Sequence, residues 1–138
     1  MATSGKLKLT VIEAKLTRDT DFWSKMDPFC IITYREQQFK TKVMNNAGKL
    51  PKWNETFEID VKYIGDDLYI GVKDEDLTKS DVIGDGQLKL SALCVNGGLD
   101  EWFDIQYHGK KAGNIHLKGQ WFPNTGAQQP QQMQPQMQ

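Results

Sequence analysis

Several features that mark common protein classes are missing from this chain of 138 residues. It contains no apolar run of 18 residues, so the sequence predicts no segment that spans a membrane. The N-terminal segment MATSGKLKL has no apolar stretch like that of a signal peptide, which favours a cytoplasmic protein. The formal net charge of −1 provides no positive field for a nucleic acid, so we expect no nucleic-acid partner.

Cysteine and histidine are also scarce. Cys30 and Cys94 are too few for a disulfide framework, and neither His108 nor His116 has a second metal ligand at the spacing of a zinc site. Both cysteines lie among apolar residues, so we expect buried thiols. No nucleophile stands beside a candidate base, and no glycine-rich loop is suited to cradle a phosphate. The sequence therefore predicts a protein that is not an enzyme.

The dominant pattern that is present is an alternation of apolar and polar residues, which is typical of β-strands with one buried face. Glycine, proline and aspartate separate these segments, and we expect only one helical turn, near residues 91–94. Many short, evenly spaced strands favour an all-β antiparallel sandwich or barrel, in which loops cluster at the two ends. The predicted strands are centred on residues 7–11, 29–34, 39–43, 57–61, 68–72, 88–90, 103–107 and 115–121.

The composition changes after Pro123. After Ala127 the chain consists of Gln, Pro and Met without any charge. Such a segment buries too little apolar surface to offset its ordering entropy, so we expect a disordered tail over residues 124–138 after a folded domain of residues 1–123. The tail could recruit a protein partner or simply keep the chain soluble, and the sequence leaves both open.

Aspartates are concentrated in two separate segments, DFWSKMD and DEDLTKSD, each of which follows a predicted strand. If the two loops meet in space, their carboxylates repel one another. Ca²⁺ resolves this repulsion, because it accepts six to eight oxygen ligands from flexible loops. The sequence therefore predicts a Ca²⁺ site made of two loops, although acidic surface loops without a metal are also common. The candidate ligands are Asp21, Asp27, Asp74, Asp76 and Asp81.

The segment DEDLTKSDVIGD does not fit the Ca²⁺ loop of an EF-hand. Its sixth position is Lys79 where glycine is needed, and its twelfth is Asp85 instead of glutamate. Strand patterns flank it where an EF-hand has helices. The two-loop arrangement is therefore preferred.

The order of several motifs resembles that of the C2 domain family over roughly residues 5–122. These motifs are LKLTVIEAKL, KMDPFCIITY, KTKV, PKWNETFEI, YIGVKDED and DVIG. The resemblance implies an eight-stranded antiparallel β-sandwich of Greek-key type with three loops facing Ca²⁺ at one end. Because the chain starts with LKLTVIEA and adds GNIHLKGQW near its C-terminus, its order is similar to the permuted, phospholipase-like (type II) topology of the family.

The resemblance also implies roles for individual residues. Asp21 and Asp27 match the ligands of the first loop, and the other three aspartates match those of the third. By similarity, two Ca²⁺ ions are expected, with Asp21, Asp74 and Asp76 shared between them. Backbone carbonyl groups near Phe22 and Glu75 would complete the coordination.

Three apolar residues at the loop tips suggest membrane contact: Phe22, Trp23 and Leu77. Burial of such a side chain contributes about 1.5–3 kcal/mol, and Trp favours the level of the lipid headgroups. Trp23 could instead rest against a neighbouring loop. Lys40 and Lys42 would point to the same face of a strand. The resemblance implies that they could hold anionic or phosphoinositide headgroups, although they could simply be solvated.

Charge favours a switch controlled by Ca²⁺. Five carboxylates repel an anionic membrane, and two Ca²⁺ ions nearly neutralise them. Each unit of charge is worth about 1 kcal/mol near an anionic leaflet. The sequence therefore predicts a cytoplasmic protein that docks reversibly on anionic phospholipid and becomes a peripheral membrane protein when Ca²⁺ rises. The alternative is a Ca²⁺-independent module for protein interaction.

Overall fold

The alternating segments form eight antiparallel strands in the part of the chain that the computed structural model describes, residues 2–20, 24–76 and 79–124. The predicted β-sandwich is confirmed. The strands are β1 (Gly5–Leu16), β2 (Pro28–Tyr34), β3 (Gln37–Lys40), β4 (Lys52–Val61), β5 (Asp67–Glu75), β6 (Ser80–Lys89), β7 (Gly98–Tyr107) and β8 (Lys110–Pro123).

One helical turn, α1 (Leu90–Leu93), follows β6, and a 3₁₀ turn over Val95–Gly97 leads into β7. The helical turn predicted near residues 91–94 is therefore found one residue earlier, and Leu90 belongs to it instead of to the preceding strand. None of the helices in the described residues is long and apolar enough to cross a bilayer.

The hydrogen-bonded strand order is β3-β2-β5-β6-β7-β8-β1-β4. Between β6 and β7 only one pair of residues, Asp85 and Gln106, connects the two halves. The order therefore divides into two four-stranded sheets, β3-β2-β5-β6 and β7-β8-β1-β4. The segment GNIHLKGQW lies in β8, which pairs with β1 over its whole length from Gly5 to Leu16, in keeping with the predicted strand order.

The core lies between the two sheets and follows the alternation in the sequence. Leu7, Leu9 and Val11 of β1 are fully buried, as are Ile32 of β2 and Ile70 of β5. Successive side chains of a strand point to opposite faces, so one apolar set from each sheet meets in the interior. Each fully buried aliphatic side chain contributes about 1.5–3 kcal/mol to the stability of the sandwich.

The end of β3 differs from the prediction. The strand predicted over residues 39–43 ends at Lys40. Beyond Lys40 the chain stays against β2, because the Thr41 N–H donates to the Cys30 carbonyl at 2.9 Å. The buried Thr41 hydroxyl also accepts the Cys30 N–H at 2.8 Å and donates to the Lys42 carbonyl at 3.0 Å. Lys42 lies beyond the end of β3, so the expectation that it belongs to the same strand as Lys40 was wrong. Both lysines are exposed, on either side of the buried Thr41.

Both cysteines are buried free thiols, as predicted. Burial raises the pKa of the Cys94 thiol to about 11 and raises the pKa of the Cys30 thiol further. Residues 125–138 lie outside the described part of the chain, so the division between a domain of residues 1–123 and a disordered tail stays a prediction.

A pH dependence of stability follows from Tyr69. Burial, and the hydrogen bond that its hydroxyl donates to Asp85 Oδ2 at 2.9 Å, raise the pKa of Tyr69 from 10.0 to about 12. The folded state then retains a proton that the unfolded state releases. This contribution is fully present below pH 10 and is lost as pH rises from about 10 to about 12. We expect the free energy of unfolding of the wild type to fall more steeply over that window than that of Tyr69→Phe, as measured by urea titration at each pH. Identical slopes in the two proteins would contradict the expectation.

Candidate functional site

Three of the predicted ligands lie side by side where β2, β5 and β6 meet. Pro28, which follows Asp27, is opposite Asp74, and Asp74 is opposite Asp81. The register of these strands therefore brings acidic residues from two distant segments to the same end of the sandwich. We name the described segments at this end loop 1 (residues 17–20 and 24–27), loop 2 (residues 41–51) and loop 3 (residues 76 and 79).

Asp74 connects β5 to loop 1. Its side chain is 6% exposed. One carboxylate oxygen accepts a hydrogen bond from the Thr20 hydroxyl at 2.8 Å, and the other accepts the Asp27 N–H at 2.8 Å. Within the described residues, no lysine or arginine forms an ion pair with Asp74. A buried carboxylate without a cation is costly, and these two hydrogen bonds offset part of that cost.

Asp27 connects loop 1 to loop 2 and to β5. Its Oδ1 accepts the Asn46 N–H at 2.6 Å, and its carbonyl oxygen accepts the Glu75 N–H at 3.0 Å. Asn46 has a φ of 59°, a left-handed conformation that asparagine adopts more readily than most residues. The backbone of loop 2 is therefore fixed directly against Asp27.

Asp76 and Asp81 are more accessible than Asp74. The Asp76 N–H donates to the Lys79 carbonyl at 2.9 Å, which closes the turn of loop 3. The ammonium group of Lys79 lies 3.8 Å from Asp81 Oδ1, and both side chains are largely in solvent. An exposed pair of this kind contributes little to stability, so a stronger cation could displace the lysine.

Four predicted residues, Asp21, Phe22, Trp23 and Leu77, lie outside the described residues. Within residues 2–20, 24–76 and 79–124, no three acidic, histidine or cysteine side chains are arranged to hold a metal ion. The carboxylate and hydroxyl oxygens at this end are the hard ligands that suit Ca²⁺. The hydrogen-bond partners described for the Asp27 and Asp74 carboxylates are a hydroxyl and backbone N–H groups, and none is a thiol or an imidazole. The chemistry therefore fits Ca²⁺, while the assignment of individual ligands stays a prediction.

The two candidate lipid-binding lysines have different surroundings. The Lys40 ammonium lies 4.3 Å from the centre of the Phe29 ring and 3.7 Å from Glu75 Oε1. Lys42 is exposed, and its backbone N–H donates to Glu55 Oε2 at 2.8 Å. The Lys40 side chain therefore forms an ion pair with Glu75 beside loop 3, whereas the position of Lys42 is fixed by the hydrogen bond of its backbone N–H.

Sequence reasoning missed three residues at this end. Thr20, the hydroxyl partner of Asp74, sits in a polar run with nothing to distinguish it. The Arg18 guanidinium stacks 3.6 Å from the centre of the Tyr107 ring, and its buried Nε has no hydrogen-bond partner in the described structure. Leu50 of loop 2 is 65% exposed, although its segment is predicted only as a turn.

Comparisons with known proteins agree on one family. A family profile described as C2 domain matches residues 5–105. Elicitor-responsive protein 3 of Oryza sativa subsp. japonica is 32% identical over 96 residues, which are 69% of this chain and 67% of that protein. Extended synaptotagmin-2 of Mus musculus is 35% identical over 124 residues, which are 85% of this chain but only 14% of that protein. The solved structure of the calcium-bound C2A and C2B domains of Extended-Synaptotagmin 2 has a TM-score of 0.77 and 31% identity, and it covers 88% of this chain and 46% of that one.

Proposed function

Because this chain belongs to the C2 domain family, we propose that it is a Ca²⁺-dependent module that docks reversibly on anionic phospholipid membranes. The observation that carries the proposal is the strand register that places Asp27, Asp74 and Asp81 at one end of the sandwich. The same convergence favours metal binding over the alternative of a Ca²⁺-independent module for protein interaction.

The relatives support the use of Ca²⁺. The neighbour Extended-Synaptotagmin 2 is described as calcium bound. In this chain the proposed set of side-chain ligands is Asp21, Asp27, Asp74, Asp76 and Asp81, with backbone oxygens at Phe22 and Glu75 and two ions in all. Since this chain spans only a small part of the extended synaptotagmins, nothing about their other domains is carried over.

Ca²⁺ supplies the positive charge that neutralises the carboxylates. The residues of this chain then do two things. Asp74 and Asp27 already hold Thr20 of loop 1 and Asn46 of loop 2 in place through backbone and hydroxyl hydrogen bonds, so these described parts of the two loops are preorganised. Neutralised carboxylates also stop repelling anionic lipid, at about 1 kcal/mol for each unit of charge.

Loop tips and lysines would add contact with the lipid. Phe22, Trp23 and Leu77 are proposed to insert, and each contributes about 1.5–3 kcal/mol when buried. Lys40 and Lys42 are proposed to bind anionic or phosphoinositide headgroups. With these contacts the protein would move from the cytoplasm to a peripheral position on the membrane when Ca²⁺ rises.

Vesicle sedimentation tests the proposal. The full chain is mixed with vesicles of phosphatidylserine and phosphatidylcholine, or of phosphatidylcholine alone, in Ca²⁺ or in chelator. A change of about four charges predicts a partition into the anionic vesicles that is on the order of a thousandfold stronger in Ca²⁺. Equal sedimentation in Ca²⁺ and in chelator would overturn the proposal. Mg²⁺ at the same concentration is the control for non-specific screening of charge.

A further inference from the structure

Leu50 is the most exposed large apolar side chain among the described residues, at 65%. A single exposed leucine needs no explanation by itself. The surroundings of Leu50 are unusual in two respects, however: its backbone is held firmly, and lysines border it. Both features point to a binding role.

Hydrogen bonds on both sides fix the backbone around Leu50. The Leu16 N–H donates to the Lys49 carbonyl at 2.8 Å, and the Ala14 N–H donates to the Pro51 carbonyl at 3.0 Å. The last residues of loop 2 therefore continue the pairing of β4 along the end of β1. Because the backbone of this segment is already fixed, little backbone entropy is lost when its side chain inserts into a lipid bilayer.

The position of Leu50 relates it to the candidate Ca²⁺ end. The Gly48 N–H donates to the Met26 carbonyl at 3.0 Å, next to Asp27, and the Asn46 N–H donates to the Asp27 carboxylate. Gly48 has a φ of 63°, which lets loop 2 turn back along loop 1. Leu50 therefore lies on the same end of the sandwich as Asp27 and Asp74.

Two lysines complement the apolar side chain. A cleft of about 330 Å³ between loops 1 and 2 is lined by Lys25, Lys49 and Leu50, together with Asp19 and Ser24. Both lysines are exposed, and neither forms an ion pair within the described part of the chain. An apolar side chain flanked by ammonium groups matches an anionic bilayer surface, where the leucine enters the acyl boundary and the lysines remain at the phosphates.

We propose that Leu50, Lys25 and Lys49 form a third membrane contact, the Leu50 contact, which engages anionic phospholipid without a metal ion. Its orientation rests on the proposed function, since docking of the same end brings these residues to the bilayer. None of the three side chains is a Ca²⁺ ligand, so the contact acts whether or not Ca²⁺ is bound. By thermodynamic linkage it lowers the Ca²⁺ concentration needed for docking while leaving the Ca²⁺ affinity in solution unchanged.

Binding of variants to vesicles of phosphatidylserine and phosphatidylcholine tests the Leu50 contact. We expect Leu50→Gln to bind about tenfold more weakly in Ca²⁺ and to need more Ca²⁺ for half-maximal binding. Lys25→Gln combined with Lys49→Gln should weaken binding by about thirtyfold. Val95→Gln is the matched control, because Val95 is 49% exposed but lies in the β6–β7 connection at the opposite end. Calorimetry without vesicles should give the wild-type Ca²⁺ affinity for Leu50→Gln, which changes no charge.

A fluorescent label reports the contact directly. An environment-sensitive dye on Leu50→Cys should shift to the blue with anionic vesicles and be quenched by brominated lipid, whereas the same dye on Val95→Cys should not. The buried native thiols, whose pKa values burial raises, compete little for the dye.

The outcomes separate the two proposals. If Leu50→Gln binds as tightly as Val95→Gln while the wild type still binds in a Ca²⁺-dependent manner, the Leu50 contact is overturned and the proposed function stands. If the wild type binds no anionic vesicles at any Ca²⁺ concentration, both are overturned. Weaker binding of Leu50→Gln together with a blue-shifted label at residue 50 supports the contact.

Discussion

The Asp74→Asn variant is expected to lose docking on anionic vesicles, because its affinity for Ca²⁺ should fall by on the order of a hundredfold. Among the predicted ligands that the structure describes, Asp74 is the one that is both buried and fixed by hydrogen bonds from Thr20 and Asp27. Even residues that only support a metal ligand change the metal affinity by about 10–100-fold when replaced. Loss of a charged ligand proposed to be shared by two ions should cost at least as much. Isothermal calorimetry with Ca²⁺, followed by vesicle sedimentation, measures both effects.

The fold itself should tolerate this replacement. The amide oxygen of an asparagine can still accept the Asp27 N–H, and the Thr20 hydroxyl can rotate to accept from the amide NH₂. Removing a buried charge also relieves its desolvation cost. We therefore expect the free energy of unfolding without Ca²⁺ to change by no more than about 1 kcal/mol.

A matched control lies on the same strand. Asp67 begins β5 at the other end of the sandwich and forms an exposed ion pair with Lys89 at 2.9 Å. Asp67→Asn makes the same change of charge and should leave Ca²⁺ binding intact. If Asp74→Asn titrates with the wild-type Ca²⁺ affinity, Asp74 only ties β5 to loop 1, and the assignment of this residue as a ligand fails.

Tyr34→Phe should lower the free energy of unfolding by about 2–4 kcal/mol, because it removes one oxygen that makes three part-buried hydrogen bonds. The ring of Tyr34 is fully buried. Its hydroxyl donates to Asp66 Oδ2 at 2.7 Å and accepts the backbone N–H groups of Lys62 and Tyr63 at 3.0 and 3.2 Å. Phenylalanine would leave all three polar partners without this oxygen. Urea unfolding should give a lower midpoint with an unchanged slope.

Tyr63→Phe provides the comparison. Tyr63 is adjacent to the same network, but its side chain is 51% exposed, so the loss of its hydroxyl should change stability by less than about 0.5 kcal/mol. A difference of under about 1 kcal/mol between Tyr34→Phe and the wild type would show that water replaces the missing oxygen.

Acid titration gives a second readout of the Tyr34 network. The Tyr34 hydroxyl, and then the Arg35 guanidinium, lower the pKa of Asp66 below its usual value. The stability from this lowered pKa is present above the ordinary pKa of aspartate and is lost as pH falls through the folded-state value. Tyr34→Phe should therefore lose less stability on acidification than the wild type does.

The sequence was sufficient to predict the sandwich, because burial of one face of each strand leaves a period of two in the chain. It was less informative where a local irregularity changes that period. A bulge between Val11 and Glu13 shifts the phase of β1, so that Ala14 and Leu16 become the buried residues beyond it. The clear alternation in the sequence ends at residue 11, whereas the observed strand continues to Leu16.

The site was predictable in position and less so in detail. Clustering of loops at one end of a sandwich was enough to expect Asp27, Asp74 and Asp81 near one another. The contacts that fix them, from Thr20 and Asn46, join residues far apart in the chain and leave no periodic signal. The same holds for Leu50, because its exposure depends on how loop 2 lies against β1 and not on its own sequence context.

The pairing of β1 with β8 has a consequence for how such a chain can be rearranged. The Asn124 N–H donates to the Ser4 carbonyl at 2.9 Å, and its side-chain amide donates to the Ser4 hydroxyl at 3.0 Å. Ser4 and Asn124 are therefore adjacent in space, although 120 positions separate them in the sequence. A circular permutant that joins Ser4 to Asn124 by a short linker and has new termini at the exposed turn of residues 108–109 would keep the same arrangement of strands. It would begin with β8 instead of β1, so that a different strand is synthesised first.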